Sequence, residues 1–386
     1  MQGFLPACMI CTLLDVQNQH KLYMLWDGYA MKRKIPAIIL GAAGAVGQRF
    51  VQLLDNHPWF EVIALTGSER GAGRTYGEVC HWILDAPMPE WARYMEVLPT
   101  LPKVVDAPLV FSALPAQAAR EAEPVYAQAG SIVCSNASAF REEADVPLIL
   151  PEVNPDHTCL IHRQRRERGW SGGIVTNPNC TSTGMTVTLK ALQNTFGVEK
   201  VVAVSMQALS GAGYPGVASL DILGNVIPYI PGEEEKVESE PRKMLGNLHS
   251  EAILAAPLTI SAHTNRVAVA DGHTLCLSIA LSQPPGDMQE IVHCLADFAA
   301  PEVSRDLPSA PRPPIQVLDA PDRPQPRLDV NIGAGMTTVV GRVRPDPIFD
   351  VKLTVLSHNT IRGAAGASIY NAELLVKQGI ISDGRG

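Results

Sequence analysis

No segment of this sequence is apolar for long enough to cross a bilayer; hydrophobic residues make up 46% of it, but they come in short runs broken by polar ones. A soluble protein with no membrane partner is expected. Charge is scarce too, at 18%, and the formal net charge of -8 removes any chain-wide attraction to nucleic acid, although a local basic patch for a small phosphorylated ligand stays open. The first thirty residues lack a positive start before an apolar core and lack a small-residue cleavage signal, so no export address is expected there. Met31 is followed by KRK and then by the strand-like PAIIL. The folded chain is therefore expected to begin near Met31, with 1–31 a poorly ordered extension.

A disulfide framework is absent as well. The eight cysteines, at 8, 11, 80, 134, 159, 180, 276 and 294, are scattered in mostly apolar surroundings, which fits a reducing cytoplasm. Cys8 and Cys11 form a C-x-x-C without a second pair at zinc-finger spacing, and His157, Cys159 and His162 merely precede the basic run RQRRERGW. Neither set gives a reason to expect a metal.

What is present is length, enough at 386 residues for two domains that each bury a core, and a clear change of pattern along the chain. The apolar run 36–40 leads into GAAGAVGQRFVQLL, the strand, glycine turn and helix order of a dinucleotide-binding unit. FEVIAL (60–65), PLVFSAL (108–114) and SIVCSN (131–136) read as further strands, and AQAAREAEPVYAQAG as a helix, which together predict a doubly wound parallel sheet. Beyond Cys180 the strands lengthen, at 201–209, 274–282, 337–344 and 349–357, with few helices between, predicting a mixed or antiparallel sheet. The proline-rich stretch Pro301–Pro326 reads as a surface connection, and 363–379 has helical spacing.

Three constellations carry chemistry. Gly41, Gly44 and Gly47 let the backbone approach a pyrophosphate at a helix N-terminus, or alternatively only pack helix on strand. No acid ends the second strand; TGSER follows, so Ser68 and Arg70 are candidates for a 2′-phosphate, with Glu69 against it and a solvated loop as the bland alternative. Cys180, in TNPNCTSTG, follows a strand and precedes a helix, and a helix N-terminus favours a thiolate and an adjacent oxyanion. The later segment Asn265–His273 offers His273 as a proton relay for that sulfur and Arg266 as a fork for a carboxylate.

GAAGAVGQRFVQLL, HPWFEV, SNASAFR, PEVN, TNPNCTSTG, SMQALSGAGYPG, LDILGNVIPYI, GEEEKVESE, NRVAVADGHT and HNTIRGAAGASI, in this order, resemble the aspartate-semialdehyde dehydrogenase family in its archaeal and fungal branch, from about residue 32 to 379. The resemblance implies an α/β protein: an NADP-binding Rossmann domain over 32–179, completed by the C-terminal helix (362–382), and a central α+β catalytic and dimerisation domain over 180–361. It also implies a homodimer or homotetramer that reduces 4-aspartyl phosphate with NADPH to aspartate semialdehyde and phosphate. Malonyl-CoA reductase and N-acetyl-glutamyl-phosphate reductase are alternatives, and a non-catalytic nucleotide sensor is one of another class. Carried onto matching positions, Cys180 is the thioester nucleophile, His273 the acid/base and Gln207 the orienting amide. Arg266 would bind the substrate α-carboxylate, Glu233 its amino group, and Arg141 with Lys236 the phosphate, with Asn179 beside them. Glu234 or Glu235 competes with Glu233 for register. On the cofactor side stand Gly41, Ala43, Gly44, Ala45, Val46, Gly47, Ser68, Arg70, Ser112, Gly211 and the His358-Asn359 pair. Ala268 replaces a common proline, while Ala43 and Gly71 replace common hydroxyl residues near the cofactor phosphates, which would weaken NADP binding modestly.

Overall fold

The computed structural model describes residues 33–100 and 105–382, so Cys8, Cys11 and the expected N-terminal extension lie outside the described residues. The first sheet holds β1 (Ile35–Leu40), β2 (Phe60–Gly67), β3 (Val97–Pro99), β4 (Leu109–Ser112), β5 (Ile132–Ser135) and β6 (Gly173–Thr176), all parallel, in the order β3-β2-β1-β4-β5-β6. Its inner strands are buried on both faces, which is why they read as unbroken apolar runs. The order reverses between β1 and β4, and in doubly wound sheets such a switch point is where ligands bind, outside the carboxyl ends of the strands. Helix α1 (Ala45–Leu53) leaves β1 through the glycine turn, and α2 (Ala116–Ala129) follows β4.

The second sheet is mixed: β7 (Val198–Gln207), β10 (Thr259–Arg266), β11 (His273–Leu281), β12 (Ile315–Leu318), β13 (Thr338–Pro345) and β14 (Val351–Ser357) lie in the order β10-β7-β11-β14-β13-β12. Strands β8 (Asn247–His249) and β9 (Ala252–Leu254) form a separate hairpin. Helix α3 (Cys180–Thr195) packs Met185, Leu189 and Leu192 into the core beneath this sheet, joined there by Val237 and Met244 of α4 (Glu233–Met244). The edge of β10 is covered rather than bare. Glu234 and Glu238, one turn apart on α4, accept from the N–H groups of Thr264 and Ala262, two residues apart on the strand.

The final helix α5 (Gly366–Lys377) returns to the first sheet, where Ile369, Tyr370 and Leu374 share a core with Ile35, Phe50 and Phe111. The stretch Pro301–Pro326 departs from its reading as a surface connection. Ile315 is buried and begins β12, which pairs in parallel with β13, while Leu307 enters the core of the first sheet. Prolines on both sides of IQVL hide a short edge strand from pattern reading, because Pro is tolerated where no ladder donor is needed.

Candidate active site

Strand direction brings the functional side chains together. Parallel β7 and β10 finish side by side with Gln207 opposite Arg266, while antiparallel β11 starts at the same end with His273. The first residue of α3, Cys180, faces this sheet end, so residues nearly a hundred apart in sequence meet there. Cys180 Sγ lies 3.2 Å from His273 Nε2. Asn179 caps the helix, its Oδ1 accepting from Thr181 N (2.8 Å) and Ser182 N (3.2 Å). Behind Cys180 runs the turn Ile361–Ala365, pressed so close that a Cβ at Gly363 would stand 2.6 Å from Cys180 Cβ.

Ala208, which no side-chain motif singles out, organises the other flank through its peptide groups. Its N–H donates to His273 Nδ1 at 3.1 Å, and its carbonyl accepts from Arg266 Nη1 at 2.7 Å. With Nδ1 occupied as an acceptor, the neutral imidazole carries its proton on Nε2 and turns that N–H toward the sulfur. Burial, reinforced by the Arg266 charge, pushes His273 down to about 3, which keeps the ring neutral. Burial also pushes the Cys180 thiol up to about 12, with Glu233 adding to the rise and Arg141 and Arg266 opposing it. Gly211 sits against the same pair: a Cβ there would meet Arg266 Nη1 at 2.8 Å and His273 Cε1 at 2.9 Å.

The three glutamates at the start of α4 stand in different surroundings. Glu235 is exposed and Glu234 is spent on β10, whereas Glu233 is buried and its Oε1 accepts from Asn179 Nδ2 (2.8 Å), Gln207 Nε2 (3.1 Å) and Thr181 Oγ1 (3.3 Å). Its Oε2 is 3.6 Å from Lys236 Nζ. Arg141 is buried and held by Glu240 Oε1 at 2.9 Å and by the Asn136 carbonyl at 2.7 Å, while its Nε has no partner among the described residues. Sequence reading missed Glu240 and Lys243. The signal was there in spacing, since 233, 236, 240 and 243 form one charged stripe on α4.

Just past β1, Gly41 has φ 73° and a Cβ at Gly47 would fall 2.3 Å from the Gly41 carbonyl oxygen, so the turn through Ala43 and Gly44 admits only glycine at those close approaches. Gly44 opens α1 with no side-chain cap, leaving the first-turn N–H groups of Ala45 and Val46 without a capping acceptor. Ser68 and Arg70 are exposed just past β2, and Ser112 is buried at the end of β4. The structure places Asn359 between two turns instead of facing open space: it donates to Ser210 Oγ (2.8 Å) and accepts from Gly272 N (2.9 Å), with His358 buried beside it. His157 bonds Asn154 and the Gly246 carbonyl, and the basic run after it is matched by Glu167, Glu251 and Asp145. Among the described residues no helix is long and apolar enough to cross a membrane.

Two family models match the chain: the NAD-binding domain of semialdehyde dehydrogenases over residues 36–161 and their dimerisation domain over residues 189–362. The aspartate-semialdehyde dehydrogenase of Archaeoglobus fulgidus is 50% identical over 343 residues, covering 89% of this chain and 98% of that protein. That of Schizosaccharomyces pombe is 45% identical over 351 residues, covering 89% and 97%. A crystal structure of the Candida albicans enzyme with NADP superposes with a TM-score of 0.83 at 40% identity, over 90% of this chain and all of that one. With its parallel first sheet, its mixed second sheet and a cysteine and histidine in contact at the end of that second sheet, the chain belongs to the aspartate-semialdehyde dehydrogenase family.

Proposed function

We propose that the protein reduces 4-aspartyl phosphate to aspartate 4-semialdehyde, with release of phosphate, through a thioester on Cys180. The observation that carries this reading is the contact of Cys180 Sγ with His273 Nε2 at 3.2 Å at the start of α3, next to the buried Arg266. The helix N-terminus and the two arginines favour the thiolate against the desolvation that raises its pKa. As the sulfur adds to the acyl carbon, the C–O bond to the phosphate breaks and the thiol proton passes to the departing phosphate, which leaves as the hydrogen phosphate dianion, its charge met by Arg141 and Lys236. Arg266, one nitrogen already anchored on the Ala208 carbonyl, grips the α-carboxylate. Glu233 meets the ammonium, and Gln207, tied to Glu233, orients the chain of the acyl group. In its neutral tautomer His273 presents an N–H to the thioester oxygen and to the oxyanion that forms on it, so collapse to aldehyde and thiolate needs no charged imidazolium.

NADPH supplies the hydride. The glycine turn fits a pyrophosphate, because Gly47 closes on the Gly41 carbonyl and the α1 N–H groups carry no side-chain cap. Ser68 and Arg70, exposed past β2 where an NAD enzyme places an acid, would hold the 2′-phosphate. The division into 32–179 with 362–382, and 180–361, follows the two sheets. We read the assembly as a homodimer or homotetramer and its setting as cytoplasmic, which the free cysteines among the described residues suit.

Purified protein given aspartate semialdehyde, phosphate and NADP should produce NADPH, read at its absorbance band. Absence of that reaction together with efficient oxidation of NADPH by malonyl-CoA would replace this function with the thioester-reducing alternative.

A further inference from the structure

We infer that Glu240 is a positioning residue that holds the phosphate-contacting arginine and the residue before the nucleophile in one fixed relation. This rests on the proposal that Arg141 meets the substrate phosphate. Glu240 is 1% exposed, lies seven residues after Glu233 on the same face of α4, and reaches two segments of the site at once. One carboxylate oxygen accepts from Arg141 Nη1 at 2.9 Å; the other accepts from the main-chain N–H of Asn179 at 2.6 Å. The second bond sets the peptide that leads into Cys180, and the same Asn179 caps α3 with its side chain. Lys243, one turn further, completes the frame by donating to the carbonyls of Arg141 (2.6 Å), Glu143 (2.8 Å) and Val146 (2.9 Å), which fixes the loop on which Arg141 stands.

The chemistry requires a carboxylate. Both partners of Glu240 are donors, so an amide in its place can satisfy one with its oxygen but must turn its own N–H groups toward the other. A buried guanidinium that loses its anchor gains freedom, and a reacting group displaced by about 1 Å can cost on the order of a hundredfold in rate. Because Glu240 touches no substrate, its removal should be felt through Arg141, at the phosphate, and not at the nucleotide turn some distance along the chain.

The test is steady-state kinetics of the full-length enzyme in the direction that consumes phosphate, for the parent, Glu240→Gln, Arg141→Ala and the double variant. Glu240→Gln should raise KM for phosphate on the order of tenfold, the usual weight of a charge-assisted hydrogen bond, while KM for NADP stays within about twofold. In the double variant the phosphate KM should be no worse than with Arg141→Ala alone, since Glu240 reaches the phosphate only through Arg141, while what it does through the Asn179 N–H is read in kcat. If Arg141→Ala leaves the phosphate KM unchanged, the phosphate role of Arg141 falls, and this inference with it. If Arg141→Ala raises that KM and Glu240→Gln does not, or if the two effects multiply, the positioning role alone is overturned. Should Glu240→Gln not fold, Glu240→Asp keeps the charge on a stem one carbon shorter and reaches only one partner. It must then raise the phosphate KM several-fold with NADP unaffected, and an unchanged phosphate KM in that folded variant refutes the proposal equally.

Discussion

The glycine turn proposed for the nucleotide and the proposed reacting end of the second sheet are built on opposite plans. The turn is seven consecutive residues, 41–47, and what matters there is main chain: one positive φ, one close approach, and N–H groups without a cap. The reacting end draws on seven separate segments, from Arg141 to Gly363, and depends on side chains that hold one another. A local backbone site fails gradually when one residue changes, whereas a network of buried charged and polar groups loses a partner for every one removed. The following substitutions set the two plans against each other.

The largest difference is expected from Cys180→Ser. A serine hydroxyl is far less ionised than a thiol in the same place, so turnover should fall at least about a thousandfold while NADP affinity stays at the parent value. Stopped-flow or single-turnover kinetics with a parallel cofactor titration reads both. Activity within about tenfold of the parent would remove Cys180 from the chemistry, and a lost cofactor affinity would mean that the two ends are not separable.

Two glycines give the next contrast. A methyl at Gly363 would press on Cys180 Cβ, at 2.6 Å, and one at Gly47 would press on the Gly41 carbonyl at 2.3 Å. Each insertion costs roughly 1–3 kcal/mol of overpacking. Gly363→Ala should spend that strain on the nucleophile and lower kcat by roughly a hundredfold with little change in KM for NADP. Gly47→Ala should instead raise KM for NADP and lower Tm by several degrees, since α1 can no longer close on the turn. Similar kinetic signatures from the two variants would erase the distinction drawn here.

The same distinction explains what the sequence disclosed. The glycine turn, the strand runs of the first sheet and the N-terminal place of Cys180 in α3 were legible, because each is a pattern within about fifteen residues. His273 and Arg266 were legible as partners for Cys180 through residue type and the family motif, but the geometry of their meeting depends on β7, β10 and β11 ending together, which no local window records. Glu240 was visible as a member of the charged stripe on α4, but its partners, 99 and 61 residues away, were not. Ala208 was hidden more deeply, because it acts through its peptide group and any residue but proline carries one. The β12 strand was lost to the prolines around it.

Glu233→Gln sharpens the contrast with opposite signs in one variant. The Glu233 carboxylate helps to raise the Cys180 thiol, second to burial, so neutralising it should lower that pKa. Below the thiol pKa the thiolate fraction grows as the pKa falls, and alkylation of Cys180 by iodoacetamide at pH 7 should speed up a few-fold. Turnover should nevertheless drop by about tenfold, as the contact for the substrate ammonium loses its charge. In the parent, alkylation should keep rising with pH beyond 9, as a thiol pushed up by burial requires. A variant that is slower in both measurements would mean that Glu233 activates the sulfur instead of restraining it.

The smallest effect is expected at Arg70. Its side chain stands in solvent past β2, and Ser68 and Glu69 share the loop, so a 2′-phosphate held there gains only what an exposed ion pair gives. Arg70→Ala should raise KM for NADP by about threefold and leave kcat unchanged. Use of NAD should not change at all, because NAD has no phosphate for the guanidinium to meet. Salt provides the check on mechanism: screening acts on exposed charges, so the gap between parent and variant should narrow as ionic strength rises from about 0.05 to 0.5 M. The Arg266 contact, buried against the Ala208 carbonyl, should show no such narrowing. A salt-insensitive Arg70 effect, or an equal loss with NAD, would move Arg70 away from the 2′-phosphate and leave discrimination between the cofactors to other residues.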